Sequence, residues 1–280
     1  MIKVSAILLN YNSSQDCEKC VGYLKNQKYD NLEIIIVDNA SSDSEEEKRL
    51  NKLCSEESIK VIFNKINLGY AAGNNIGLRA AVENGAEWCF IINPDVELRD
   101  KDYMSHMVDK ISEYSDVVVA ASSVVMPDGE LQNPQKESTF FYDFLWPLQY
   151  LKKKEENSNW NVDKQVTGFC DKISGCCLFI KSDFLKEINY LDETTFLYCE
   201  EAILSKQVLN ANKKILYVHD CVANHEHIKK DKSSPKGRMK IFLKSRRYYI
   251  RKYSGYGRIK KALALFSNKV EEVIWCFKGK

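Results

Sequence analysis

A chain of 280 residues with 44% apolar content can build one large core, and its 41 Lys and Arg against 39 Asp and Glu leave a formal net charge of only +2. No apolar run approaches the ~20 residues needed to span a bilayer, and the N-terminus lacks the charged, apolar and small-residue regions of a secretory leader, so a cytoplasmic protein is expected. Ten cysteines without framework spacing fit reduced thiols, most of them small buried hydrophobes, and Cys17 and Cys20 form a C-x-x-C with no second pair to complete a zinc or redox site.

In chain order, residues 3–9, 33–37, 60–63 and 88–92 are short apolar runs rich in β-branched side chains and read as strands. Residues 14–26, 43–55 and 70–84 carry helical patterns between them, with Ser13 or Ser14 and Ser42 as candidate caps and an acidic run, Asp43 to Glu47, that suits a helix N-terminus. Such alternation predicts an α/β fold with a mainly parallel central sheet and helices on both faces.

Ligands of such sheets lie beyond the carboxyl ends of the strands. Here all four ends are polar: Asn10-Tyr11-Asn12, Asp38 to Asp43, Asn64 to Gly69, and Asn93-Pro94-Asp95. One polar end reads equally well as a cap or a turn, but four on one rim point to a nucleotide site. Asp38 would accept hydrogen bonds from a base edge or ribose, Tyr11 would lie against the base, and the small residues of Gly69 to Asn75 would let backbone N–H groups approach the ligand. No G-x-x-x-x-G-K-[ST] occurs, and no glycine-rich turn follows the first strand, so phosphate must be handled otherwise. A hard cation, Mg2+ or Mn2+, on Asp95 is the remaining simple device.

The second half supplies an apolar strand at Ile173 to Ile180, then Glu200-Glu201, then three histidines, His219, His225 and His227, after the strand Ile215 to Val218. A positioned carboxylate of this kind can take the proton of an attacking alcohol, although two glutamates also suit an ordinary helix start. The histidines alone leave zinc ligation and a bare loop both open. Pro127 to Asp171, with aromatics from Phe140 to Trp146, is a candidate acceptor-side segment or simply core. Residues 229–280 hold 17 Lys and Arg against three acids, a charge of +14 against −12 for the remainder. Helical patterns over Met239 to Tyr253 and Arg258 to Phe277 make this a basic amphipathic extension suited to an anionic membrane face, while a homodimer interface would also use its apolar faces. Nucleic acid is disfavoured, since the remainder is acidic and no recognition motif accompanies the tail.

Leu8 to Asn12, Val37 to Asp43, Asn67 to Asn75 and Asn93-Pro94-Asp95, in that order, resemble the motifs of a family 2 glycosyltransferase of GT-A fold, and within it the rhamnosyltransferase-like bacterial enzymes of surface polysaccharides. The likeness covers roughly residues 3 to 228, which implies a GT-A domain over 1–228 and a basic helical extension over 229–280. It implies Asp95 as metal ligand in a DxD-type motif whose first position is Asn93, with His225 beside it on the metal or diphosphate and His227 a weaker candidate. Asn10, Tyr11, Asp38, Asn39, Asn67, Gly73, Asn74 and Asn93 become donor-binding residues. Glu201 inherits the general-base position where the family usually has Asp, with Glu200 as its partner.

The implied reaction is inverting transfer from a UDP- or dTDP-linked sugar to a hydroxyl of a saccharide acceptor carried on a membrane lipid, by a peripheral protein at the inner face of the cell membrane. Asn93 and Glu201 both depart from the commonest family residues, which motivates the alternative of a nucleotide-sugar-binding protein without catalysis.

Overall fold

Strand and helix alternate through the first third of the chain: β1 (Val4–Asn10), α1 (Ser14–Lys25), β2 (Leu32–Asp38), α2 (Ser44–Glu57), β3 (Lys60–Phe63), α3 (Tyr70–Glu83) and β4 (Trp88–Ile92). The structure, a computed structural model, describes residues 1–57, 59–145, 165–226 and 234–277. The four strands pair in parallel in the order β3-β2-β1-β4, and the register from Val4↔Leu32 to Asn10↔Asp38 sets the last residues of β1 and β2 side by side. These elements fall within two residues of the bounds read from the sequence.

Beyond β4 come β5 (Val96–Glu97), α4 (Tyr103–Ser112), β6 (Val117–Val125), α5 (Phe140–Leu145), β7 (Gly168–Cys170), β8 (Cys177–Lys181), α6 (Ser182–Glu187), α7 (Glu200–Asn210), β9 (Lys214–His225), α8 (Pro235–Lys252) and α9 (Arg258–Phe277). The sheet continues β4-β8-β6-β9-β5, with β7 also on β9. Parallel pairing is complete in the first half; the second half is mixed, because β8 starts at the carboxyl rim and runs antiparallel to both β4 and β6. Since β6 and β9 pair in parallel, the carboxyl ends of β1, β2, β4, β6 and β9 all meet at one edge, together with the residues that lead into β8.

Both sheet faces are packed, with α1 and α4 contributing to one apolar cluster and α3, α6 and α7 to the other. Phe90 and Phe179 stack across the β4–β8 pair at 4.2 Å between centroids. Cys17 and Cys20 are buried beneath the rim, where burial pushes both thiols up and leaves them unsuited to ligation or exchange. The expected cap at Ser13 departs from the usual form: its hydroxyl donates to Asn10 Oδ1 at 3.0 Å and bonds no helix N–H.

The basic extension folds as two packed helices that are fastened to the sheet domain. Arg246 on α8 is buried between Asp143 of α5 at 3.2 Å and Glu271 of α9 at 3.4 Å. Tyr248, Lys252 and Tyr253 all reach one carboxylate oxygen, Oδ2 of Asp192. Phe140 and Phe144 stack within α5 and Phe140 meets Tyr256 edge-on, so part of the aromatic run packs against the extension. Trp146 and His227 lie outside the described residues.

Candidate active site

The rim begins at the ends of β1 and β2. Asp38 Oδ1 accepts from Asn10 Nδ2 at 2.7 Å and from Ser41 Oγ at 2.6 Å, and Oδ2 accepts from the Ser41 N–H at 3.1 Å. Asn10 is fully buried and ties β1 to β2. Asn39 is as firmly engaged: its amide donates to Asn67 and to the Gly69 carbonyl, while its oxygen accepts from Asn64 and the Leu68 N–H. These two asparagines therefore fix the loops that carry Asp38 and Asn67. Tyr11, 50% exposed, stands open to solvent at the same edge.

Small residues at the start of α3 answer to close packing. Gly73 donates its N–H to the Gly69 carbonyl, and a Cβ there would lie 2.7 Å from Leu9 Cδ1, so its smallness lets α3 approach β1. Gly69 has φ of +82°, and a Cβ would lie 2.2 Å from the Phe196 carbonyl oxygen, which itself accepts the Tyr70 N–H at 2.8 Å. Asn74 is buried, donating to Tyr70 O, and its Oδ1 meets no partner among the described residues.

Asp95 and His225 are brought together by strand pairing: β5 runs antiparallel to the end of β9, with Val96 opposite His225 and the Glu226 N–H donated to Asp95 O at 2.9 Å. Asp95 Oδ1 and His225 Nε2 lie 3.2 Å apart. Burial of the imidazole favours its neutral form, yet hydrogen bonding and charge from Asp95 and Cys176 prevail and raise His225 to about 10. Its other nitrogen, Nδ1, is 3.2 Å from Gln132 Oε1, so an Nδ1–H donated there aims Nε2 at the carboxylate side. Gln132 Oε1 also receives Cys176 Sγ and Ser174 Oγ at 3.5 and 3.4 Å.

From Cys176 the chain leads directly to Gly175, the neighbour of Glu201. Its N–H is donated to Glu201 Oε1 at 3.2 Å and its carbonyl accepts the Tyr70 hydroxyl at 2.6 Å. Meanwhile the Asn93 N–H is donated to Cys176 O at 2.7 Å. The metal candidates and Glu201 therefore flank one short segment, Gly175-Cys176, on one rim. Glu200 and Glu201 open α7 after two consecutive left-handed residues, Tyr198 at φ +75° and Cys199 at +70°. Glu200 is buried with Oε1 unpartnered among the described residues; burial and then the neighbouring Glu201 charge push its carboxyl up to about 8. Glu201 is half-buried.

Among the described residues no three His, Cys, Asp or Glu side chains gather as a metal cage. Asp95 and His225 form a two-ligand set with Nδ1 of the imidazole already anchored, which fits an ion that would displace the Nε2 proton and take its remaining positions from phosphate oxygens and water. Gln132, Gly175 and Tyr70 were not singled out for these roles by sequence reasoning. The run Val117 to Ala121 is the signal that would have revealed β6, and with it Gln132 beyond that strand's carboxyl end.

This architecture, a sheet whose carboxyl rim carries the Asp95–His225 pair with Glu201 beside it at the start of α7, is that of the GT-A fold. Solved structures share the fold: a mannosyltransferase, PcManGT, from Pyrobaculum calidifontis in complex with GDP-Man and Mn2+ superposes with a TM-score of 0.65 at 15% identity, over 99% of this chain and 76% of that one. TarS residues 1–349 from S. aureus with UDP superposes at 0.59 and 19% identity, over 99% and 72%. The family model described as glycosyl transferase family 2 matches residues 5–185, and the chain belongs to that family.

Among curated relatives, the low-salt glycan biosynthesis hexosyltransferase Agl10 of Haloferax volcanii is 29% identical over 203 residues, 71% of this chain and 59% of Agl10. Glycosyltransferase GlyA of Streptococcus pneumoniae is 25% identical over 76% of this chain and 30% of its own length. The chain thus matches under two thirds of either relative.

Proposed function

We propose that this glycosyltransferase moves a sugar, with inversion, from a UDP- or dTDP-linked donor to a hydroxyl of a lipid-carried saccharide. The carrying observation is the convergence of Asp95–His225 and Glu201 on the Gly175-Cys176 segment. Asp38, Tyr11 and Asn67 receive the nucleoside along the β1–β3 strand ends, with Asn10, Asn39, Gly73 and Asn74 shaping that bed and Asn93 next to the diphosphate. Asp95 and His225 would hold Mg2+ or Mn2+, which supplies charge neutralisation for the departing nucleoside diphosphate. Glu201 takes the acceptor proton, a contribution of ~10² to 10⁴ in rate. Glu200, holding its own proton near neutral pH, keeps a second negative charge away from that base.

The exposed face of α9 supports the lipid-carried acceptor. Its buried face carries Ala264, Ser267, Asn268 and Glu271, while Ile259, Phe266 and Phe277 on the opposite side are 78, 66 and 74% exposed. Both acids of α9 are engaged by arginines, leaving cations to flank the apolar stripe. That combination suits the surface of an anionic bilayer, and no helix among the described residues is long and apolar enough to cross one.

Incubation with UDP-hexoses and dTDP-rhamnose in Mn2+ is expected to release nucleoside diphosphate. Asp95→Ala and Glu201→Gln should each lower release at least ~100-fold, with Glu201→Gln retaining nucleotide affinity. The presence of Asn93 and Glu201 at positions where the family usually has Asp favours one second reading, a nucleotide-sugar binder without turnover. Tight donor binding with no release from any of these donors, with or without saccharide acceptors, would establish it instead.

A further inference from the structure

A cleft of about 460 Å³ separates the Thr194–Phe196 loop from α8, outside the strand-end site. Phe196, Ile241 and the Tyr248 ring give it an apolar wall. Most of its polar groups are already engaged: Ser245 Oγ donates to Leu197 O at 2.7 Å, the Tyr248 hydroxyl to Asp192 at 2.6 Å, and Arg247 forks onto Glu272 at 2.6 and 3.2 Å. Lys244 and Arg251 remain, exposed, on the same α8 face and paired with no carboxylate among the described residues. Seven residues separate them, two helical turns or about 10 Å along the axis, with Arg247 between.

We propose that this cleft binds the head and first carbons of a lipid phosphate, the anionic amphiphile that carries the acceptor sugar; the assignment rests on the glycosyltransferase reading above. A phosphate or diphosphate suits the paired Lys and Arg, one a point charge and one a planar fork, and an alkyl or isoprenoid chain suits the apolar wall. An uncharged glycan would leave both cations unused, and a free phosphate would leave Phe196 and Ile241 wet. Position supports the same occupant. Phe196 is four residues from Glu200, so its Cα lies within about 14 Å of the helix start that carries Glu200 and Glu201, and its carbonyl accepts the Tyr70 N–H. Arg247 joins the cleft to α9 through Glu272, which sets the head-group cleft beside the helix whose apolar stripe is exposed.

The test is calorimetric titration of the full-length protein with dodecyl phosphate below its micelle concentration, with inorganic phosphate and dodecyl maltoside as the separate arms. Dodecyl phosphate is expected to bind one-to-one, at least about tenfold tighter than either other probe, and to persist under saturating UDP. Lys244→Gln/Arg251→Gln should weaken it at least about tenfold with the melting temperature unchanged, and Phe196→Ala should weaken it several-fold, whereas Lys19→Gln/Lys110→Gln should not. Equal binding by the Lys244/Arg251 variant, displacement by UDP, or equal affinity for inorganic phosphate would each overturn the assignment. Failure here with nucleotide release intact would remove the cleft alone; binding here with no release from any donor would remove the enzymatic reading and leave the cleft.

Discussion

Gly175 stands close against the proposed base: a Cβ there would lie 3.1 Å from Glu201 Oε1 and 3.2 Å from the Tyr70 hydroxyl. Gly175→Ala is therefore expected to push Glu201 off its N–H donor and lower kcat about tenfold or more while nucleotide affinity, read by titration with UDP and Mn2+, stays within about twofold. A second residue-scale expectation concerns Glu200. In the folded chain it holds its proton up to about 8, and unfolding returns it to the ordinary glutamate range near 4.5. Between those values the native state binds more protons than the unfolded one, so this group's stabilising contribution, complete below the unfolded value, is lost as pH rises toward about 8. Glu200→Gln removes that slope: its urea midpoint relative to the parent should be higher at pH 8 than at pH 5, and an unchanged difference would refute the buried, proton-holding assignment. Asp95 was legible as the polar end of a strand, whereas His225 and Glu201 were pointed to by the family resemblance. Gln132, Gly175 and Tyr70 were not, because their roles exist only once β6, β8 and α3 close on one another in space.

Elements from β1 to β4 were readable because each is a short apolar run with a helix on either side, and local pattern and tertiary pairing agree. The second half yields less to local pattern. β9 extends from Lys214 to His225, well past the Ile215–Val218 run, because its polar end pairs with β6 after a register shift and then with the two-residue β5. That pairing, which no periodicity marks, is what delivers His225 to Asp95. The docking of α8 likewise draws on distant carboxylates, and among them Asp192 receives the hydroxyls of Tyr248 and Tyr253 and the Lys252 ammonium. Burial works against its charge, and hydrogen bonds from Thr194, Tyr248 and Tyr253 prevail, holding it well below the usual carboxylate range. Hydrogen bonds to a charged group contribute about 1.5–3 kcal/mol, so Asp192→Asn is expected to cost about 2 kcal/mol. Hydrogen exchange should accelerate first over Tyr248 to Tyr253; protection unchanged there would show that packing and the Arg246 contacts hold α8 without Asp192.

At the scale of the whole molecule, a net charge of +2 conceals a separation of sign that the sequence already revealed, and the fold turns that separation into a surface. The extension is no loose tail, since the buried Arg246–Asp143–Glu271 contacts and the Asp192 cluster fasten α8 and α9 to the sheet domain. What the sequence did not reveal is which side of α9 faces in: Ala264, Ser267, Asn268 and Glu271 are inside, while Ile259, Phe266, Val273 and Phe277 are left outside. Full burial of a large apolar side chain contributes about 1.5–3 kcal/mol, so two such residues inserted among acyl chains account for tenfold or more in partitioning, and each nearby cation for roughly 1 kcal/mol at an anionic surface. The full-length protein is therefore expected to co-float with vesicles of mixed zwitterionic and anionic lipid, to detach progressively as salt rises, and to bind purely zwitterionic vesicles weakly. Phe266→Ser/Val273→Ser, both exposed and remote from the strand-end site, should lower flotation at least about tenfold without lowering the melting temperature or nucleotide affinity. Undiminished flotation of that variant would move membrane contact off α9, and a stable dimer that this variant dissolves, with no vesicle binding by the parent, would assign the stripe to a second copy of the chain.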